Sequence, residues 1–367
     1  MPADDSCARR WRRPAQHVPL VPHLVVVPVL LAVATAVSLF VHSDVNAALL
    51  WSQCHARALL PALSRVRVLG TPACFLVSFL HAALDSLRSR AVLGVVLAFV
   101  GSLLTVSTVE AARPMHAGNP VVARPTLPWL VFNLVGGALV WQLVIVPAFI
   151  LAAKAWPAPP GRAGRELAAT EVVAIPVAVA LGFYLPSALM LAGPSPVSIG
   201  VWLFFPVYVS LVRRLVRHLL GLTRWFRSAP PCHVESRVRT ALAVYALPLL
   251  ASVLAHGLVA ASFLAGADDR KELTRSAVRF IEIDFQYIGL TLLYWVFVEV
   301  GWRVPLAMVA SSVLLGPGAG TVLGWLYRER LITSDRHVLL RESAVEDGPV
   351  GEESERDLVD EQTPLVR

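Results

Sequence analysis

Between Glu171 and Arg213 the chain runs for 41 residues, Val172 to Val212, without one charged side chain. A helical crossing of a bilayer needs about 20 mostly apolar residues, because the hydrocarbon layer offers backbone amides no other partners. A run twice that length, broken only at Gly193-Pro194-Ser195-Pro196, reads as two crossings joined by a tight turn. Similar runs recur through all 367 residues, of which 56% are hydrophobic and only 16% charged, well below the charged share of a soluble domain. The expectation is an all-α, polytopic membrane helical bundle of about eight to nine transmembrane helices. The runs do not alternate apolar with polar residues, which argues against a transmembrane barrel.

Charge marks the boundaries. Residues 1–17 form a basic tail carrying Arg9, Arg10, Arg12 and Arg13, expected in the cytoplasm. Residues 18–330 form the transmembrane domain, and 331–367 an acidic tail without periodicity, expected to be disordered. The first apolar run, Leu24 to Val41, is too long for a typical cleaved signal and reads as a retained anchor. Later spans are expected near 68–84, 91–109, within 126–153, twice within 172–212, then near 240–264, 280–301 and 304–327. Asp44 to Arg67 and Lys154 to Arg165 read as loop or interfacial segments. Pro176, Pro186 and Pro206 should kink their helices. The loop Arg213 to Arg239 holds seven arginines against one acid, Glu235, and should face the cytoplasm. Counting crossings from there places Glu110 and Asp284 together on the lumenal side. The net charge of +7 sits in short loops and does not indicate nucleic acid. The four cysteines, Cys7, Cys54, Cys74 and Cys232, show no CxxC pair, so neither a disulfide framework nor a zinc site is expected.

The run Phe280 to Gly301 carries three acids, Glu282, Asp284 and Glu299. Ionisable groups at membrane depth are expensive and normally face protein or a watery cavity. On a helical wheel Asp284 shares a face with Tyr287, Thr291, Tyr294 and Trp295, while Glu282 and Gln286 fall opposite. Two readings stay open: an acid paired with Arg279 or another spanning residue, or a buried acid that donates a proton within an aromatic cavity. Protonated alkenes and epoxides are cationic, and aromatic faces stabilise cations. Glu110 ends an earlier span and is expected to pair with Arg113. Asn133, Gly136, Gly137 and Gln142 are helix-to-helix contacts or pocket lining. Trp202, Phe204, Phe205 and Tyr208 read as an interfacial belt, and His256 as a helix-contact group. Asp268-Asp269-Arg270-Lys271-Glu272 has the letters of a DDxxE metal motif but carries two cations and reads as a solvated loop. No P-loop, nucleophile elbow or HExxH is present. No metal and no organic cofactor is expected.

Five stretches in order resemble a known group. Glu110-Ala-Ala-Arg113-Pro114 is similar to an EsxRP ending of an early span, Leu181 to Pro186 to LGYxLP, and Trp202 to Tyr208 to an aromatic WxpFP segment. Phe280-Ile-Glu-Ile-Asp284 falls where that group has FLQWD, and Gly316-Pro317-Gly318-Ala319 before Arg328-Glu329 where it has GPGA and RE. The group is the fungal integral-membrane terpene cyclases and cyclase-like proteins of meroterpenoid and indole-diterpene clusters. The resemblance implies a multi-pass protein, expected in the endoplasmic reticulum. Such a protein cyclises a prenylated small molecule by protonating an alkene or epoxide, downstream of a prenyltransferase and an epoxidase. It also implies Asp284 as the acid and Glu110 as its partner; Tyr287, Thr291, Tyr294 and Trp295 on the Asp284 face, together with Trp202 and Phe205, are the candidates to line the substrate. Glu282 and Ile283 depart from the pattern, standing where the group has glutamine and tryptophan. A small transporter or a non-catalytic membrane scaffold is the alternative.

Overall fold

Proline and glycine decide where the apolar runs bend, since proline removes an amide donor and glycine tolerates a backbone closed to other residues. The computed structural model describes residues 22–43, 45, 46, 48, 50–52, 70–155, 164–234, 238–264 and 268–346. In chain order the principal helices begin with α1 (Pro22–His42), α2 (Gly70–Ala83), α3 (Leu87–Ala112), α4 (Thr126–Val135) and α5 (Gly137–Ala152). There follow α6 (Ala169–Ala192), α7 (Pro196–Trp202), α8 (Phe205–Leu222) and α9 (Val238–Leu264). The last three are α10 (Glu272–Val300), α11 (Arg303–Leu315) and α12 (Pro317–Glu346).

Three π turns, at 22–26, 141–145 and 180–184, end two residues before Pro28, Pro147 and Pro186. The pattern has one cause: a proline ring collides with the carbonyl four residues back, and a widened turn moves that carbonyl aside. Pro206 instead sits in the first turn of α8, just past the break at Leu203 and Phe204 that bends α7 from α8 by 56°. The sharp turn before α7 is closed by a capping box, in which Ser195 and Ser198 each satisfy the other's backbone amide.

Among the described residues five helices are long and apolar enough to cross a membrane, or six if α7 and α8 form one bent span. The expected eight or nine is not confirmed: α2 has 14 described residues, and the runs within 126–153 and 304–327 double back. Helix α4 has 10 residues and α11 has 13. At about 1.5 Å per residue neither reaches across a hydrocarbon layer of about 30 Å. Trp129 of α4 meets Trp141 of α5 with ring centroids 6.0 Å apart, which a continuous helix twelve residues long could not do. A Cβ on Gly324 would collide with Met308, and one on Gly320 would lie 2.6 Å from the Met308 carbonyl, so α11 and α12 are antiparallel neighbours. The two hairpins turn at Gly136 (φ 144°) and Gly316 (φ 90°), a region that side chains rarely adopt.

Both hairpins open at one end of the bundle, called here the arginine end. There Arg113 reaches Glu329, Arg213 reaches Glu171, and Leu167 pairs through its backbone with Cys232. Helix α1 starts at this end, since His23 meets Tyr294 and Ser38 meets Tyr287 further along α10. Asp85, Arg88, Asp268 and Lys271 gather at the opposite end. The crossing count behind the lumenal placement of Glu110 fails because the run within 126–153 enters and leaves at the same end. Glu110 therefore shares its end with the arginine-rich loop. Arg328 lies there too, paired with Glu299.

Helix α12 continues to Glu346, beyond the apolar pattern, and the rest of the acidic tail lies outside the described residues, as do the basic tail 1–17, Cys7 and Cys54. Cys74 is disulfide-bonded, against the expectation from spacing, and Cys232 is a free thiol.

Candidate functional site

The sequence paired Asp284 with Glu110, and the fold puts them at two levels. Fifteen residues of one helix separate Asp284 from Glu299, about 22 Å at the helical rise, and Glu299 belongs to the cluster that contains Glu110. Each acid thus has its own surroundings.

Asp284 lies at the tip of the first hairpin. Helix α5 begins at Gly137 immediately after the positive-φ turn, and no side chain caps it from within the chain's own turn. The Ala138 amide instead donates to Asp284 Oδ1 at 2.9 Å. A helix start favours an anion through its unpaired amides and its dipole. The close fit depends on Gly137: a Cβ there would lie 2.6 Å from Asp284 Oδ2, 3.0 Å from Phe132 and 3.1 Å from Ile288. The Phe132 ring edge and the carboxylate therefore face each other across the glycine, and the next residue, Phe285, packs edge-on against Phe99 at 4.9 Å. Among the described residues no arginine or lysine forms an ion pair with Asp284.

The stripe above Asp284 is engaged by its neighbours. Tyr287 hydrogen-bonds Ser38 at 2.8 Å, and Tyr294 meets His23. Thr291 accepts from Gln142, which also donates to Thr35 at 2.9 Å, a buried three-helix junction. Of the two readings open for Gln142, helix contact is the one this geometry fits. Asn133 likewise donates to the Leu203 carbonyl at the α7–α8 break, at 2.7 Å. Trp295 is 2% exposed, between Phe149 (5.0 Å) and Trp325 (5.1 Å). Trp202 donates to Ser187, and Phe205 is buried among Trp129, Phe183 and Trp202. All six residues expected to line a substrate are engaged with protein neighbours.

Glu110 anchors the second centre, at the arginine end. Its Oε1 accepts from Arg113 at 2.9 Å and Trp325 Nε1 at 3.3 Å, and its Oε2 meets His116 Nε2 at 2.9 Å. Arg113 and Arg165 both reach Glu329, at 2.9 and 3.1 Å, and Arg328 bridges Glu329 and Glu299. Three carboxylates thus meet three guanidiniums, with the histidine beside them. Glu110, Arg113 and Glu329 are each 3% exposed or less. The expected pair with Arg113 is present, but as part of a buried network rather than at a solvated edge. The Arg328 guanidinium lies 4.2 Å from the Trp325 ring and 5.9 Å from Trp295, so the protein's own cation sits against these aromatic faces.

His116 and Arg165 were not singled out in the sequence, and Glu329 entered only as part of the Arg328-Glu329 ending, because two short connecting segments and the helix α12 meet only in the folded chain. The Asp268 segment is a structural loop as expected. Asp268 pairs with Arg270 at 2.8 Å, Asp269 accepts from the Leu87 amide at the start of α3, and Lys271 pairs with Asp85. The hydrogen bond from Arg270 holds the Asp268 carboxyl well below the usual carboxylate range. Among the described residues no group of three His, Cys, Asp or Glu side chains is placed to hold a metal ion.

A family model described as the CtvD domain matches residues 63–267, more than half of the chain. The match takes in Glu110, the first hairpin and the arginine-rich loop, and stops short of Asp284. No curated protein and no solved structure matches the chain.

Proposed function

The chain belongs to the CtvD domain family, one associated with fungal secondary-metabolite clusters, and on that footing we propose that it is a membrane-embedded terpene cyclase of secondary metabolism. Its substrate is a prenylated small molecule of meroterpenoid or indole-diterpene type, delivered within the endoplasmic reticulum membrane after prenylation and epoxidation. The observation that carries the proposal is Asp284: a carboxylate at mid-depth, without a cationic partner among the described residues, beside the edge of Phe132.

In this mechanism the Ala138 amide fixes one oxygen of Asp284, and the other presents the proton. Transfer to an alkene or epoxide creates a carbocation at the reacting carbon, and ring closure passes the charge along the prenyl chain. Loss of a proton from the final cation returns that proton to the protein, so the net change is an isomerisation. The rings at this level are Phe132, Phe285 and Phe99, and a ring stabilises the cation through its face rather than its positive edge. Glu110 is the second carboxylate of the proposal, with His116 as its neighbour at 2.9 Å.

A transporter is the second reading, favoured by the two hairpins, whose helix starts lie at mid-depth as in discontinuous-helix carriers. Expression in a host lacking cyclases, fed prenylated and epoxyprenylated aromatics, separates the two. The expected result is a cyclic isomer from the intact chain, lost in Asp284→Asn. Glu110→Gln, assayed in parallel, reports the second acid. Absence of cyclic product from the intact chain, or full cyclisation by Asp284→Asn, would sink the proposed role of Asp284.

A further inference from the structure

Away from both acids, a cavity of about 280 Å³ opens at the arginine end between α3, α4, α6 and α8. Its floor is apolar, made by Leu104, Trp129 and Val209, and its mouth carries Arg124, Arg213, Arg214 and Arg217. One carboxylate faces these four guanidiniums. Glu171, 4% exposed, accepts from Arg213 Nε at 2.8 Å and Nη2 at 3.0 Å, and from Arg217 at 3.3 Å. Arg124 and Arg214 form no ion pair among the described residues and are exposed at the rim. The mouth therefore carries an excess of three positive charges, with Arg213 held in one orientation by a two-pronged bond.

Packing four guanidiniums around one cavity is unfavourable unless an anion offsets their repulsion. Guanidinium forks match the oxygens of a phosphate, which accepts several charge-assisted hydrogen bonds at once. The floor itself is closed, since Leu104, Trp129 and Val209 are each 4% exposed or less, but Leu211 and Leu215 stand exposed on α8 beside the arginines, which suits a ligand with a hydrocarbon body. A phosphate that carries one matches both the arginines and these leucines. Basic loops mark the cytoplasmic side, and anionic lipids are concentrated in that leaflet.

We propose that this cavity binds the phosphate headgroup of an anionic membrane lipid, with the phosphate among Arg124, Arg213, Arg214 and Arg217 and the start of the acyl chain along the exposed Leu211 of α8. The site is separate from the cyclase proposal and stands or falls without it.

The test uses the full chain in neutral detergent, following tryptophan fluorescence with three probes: short-chain phosphatidic acid, phosphatidylcholine of the same chain length, and inorganic phosphate. Phosphatidic acid should bind saturably and phosphatidylcholine at least tenfold more weakly. The double variant Arg124→Gln/Arg214→Gln should weaken phosphatidic acid on the order of tenfold or more, the scale of one or two lost charge-assisted hydrogen bonds. A charge-matched double variant elsewhere, Arg279→Gln/Arg303→Gln, should bind as the parent does, which separates a local site from the general attraction of a basic protein. Inorganic phosphate should compete weakly; if it binds as tightly as phosphatidic acid, the lipid assignment is overturned in favour of a soluble phosphate. Equal binding of both lipids, or equal losses in the two double variants, overturns the site itself.

Discussion

Replacing Gly137 by alanine probes the contact on which the Asp284 site depends. The added Cβ would lie 2.6 Å from Asp284 Oδ2, closer than such contacts tolerate, and 3.0 and 3.1 Å from Phe132 and Ile288. Overpacking of this kind costs about 1–3 kcal/mol. The carboxylate must give way, and doing so weakens its bond to the Ala138 amide. Asp284→Ala on its own removes that bond, worth about 1.5–3 kcal/mol for a charged acceptor. In the double variant the worst clash has gone and only the two ring and methyl contacts remain. The two changes should therefore be sub-additive by about 1–2 kcal/mol, against the roughly 0.3–0.5 kcal/mol within which independent sites add. Gly136→Ala is the built-in control. Nothing lies within 4 Å of its Cβ position, but its φ is 144°, so it should cost about 1–3 kcal/mol in backbone strain and add independently to Asp284→Ala. The free energies come from reversible unfolding in mixed detergent micelles followed by circular dichroism. Additivity of Gly137→Ala with Asp284→Ala, or coupling of Gly136→Ala with it, would refute the packing described at the hairpin tip.

Two further outcomes follow from the buried network and the second hairpin. Glu329→Gln leaves Arg113, Arg165 and Arg328 without their shared carboxylate and should cost about 3–5 kcal/mol in the same unfolding assay. Breaking the exposed Lys271–Asp85 pair should leave the unfolding free energy nearly unchanged, and equal losses would show that the network is not buried as described. Gly316→Ala meets both a φ of 90° and the Ser252 side chain at 2.8 Å. It should lower stability by about 1–3 kcal/mol, and no change on unfolding would mean that the second hairpin does not turn at that residue.

Much of the fold is legible in local chemistry. Charge-free runs of sufficient length can only be membrane helices or their buried equivalents, so class and approximate boundaries follow from composition along the chain. The prolines mark helix distortions, and the capping serines of the turn at 193–196 mark where two helices meet. The crossing count is not local. A run of apolar residues looks the same whether it traverses the bundle or turns back at Gly136 or Gly316, because both choices bury the same side chains and satisfy the same amides. That choice is made by partners far away in the chain: Asp284 for the first hairpin, Ser252 for the second.

The sequence by itself determined that this is a helical membrane protein whose run Phe280 to Gly301 carries acids at membrane depth, since the high cost of charge in hydrocarbon makes each such residue conspicuous one at a time. Only the tertiary structure decided which groups those acids face. The hairpins carry Glu329 to Arg113 beside Glu110, and the Ala138 amide to Asp284. Electrostatic partnership depends on distance in space, and two turns at glycine set those distances.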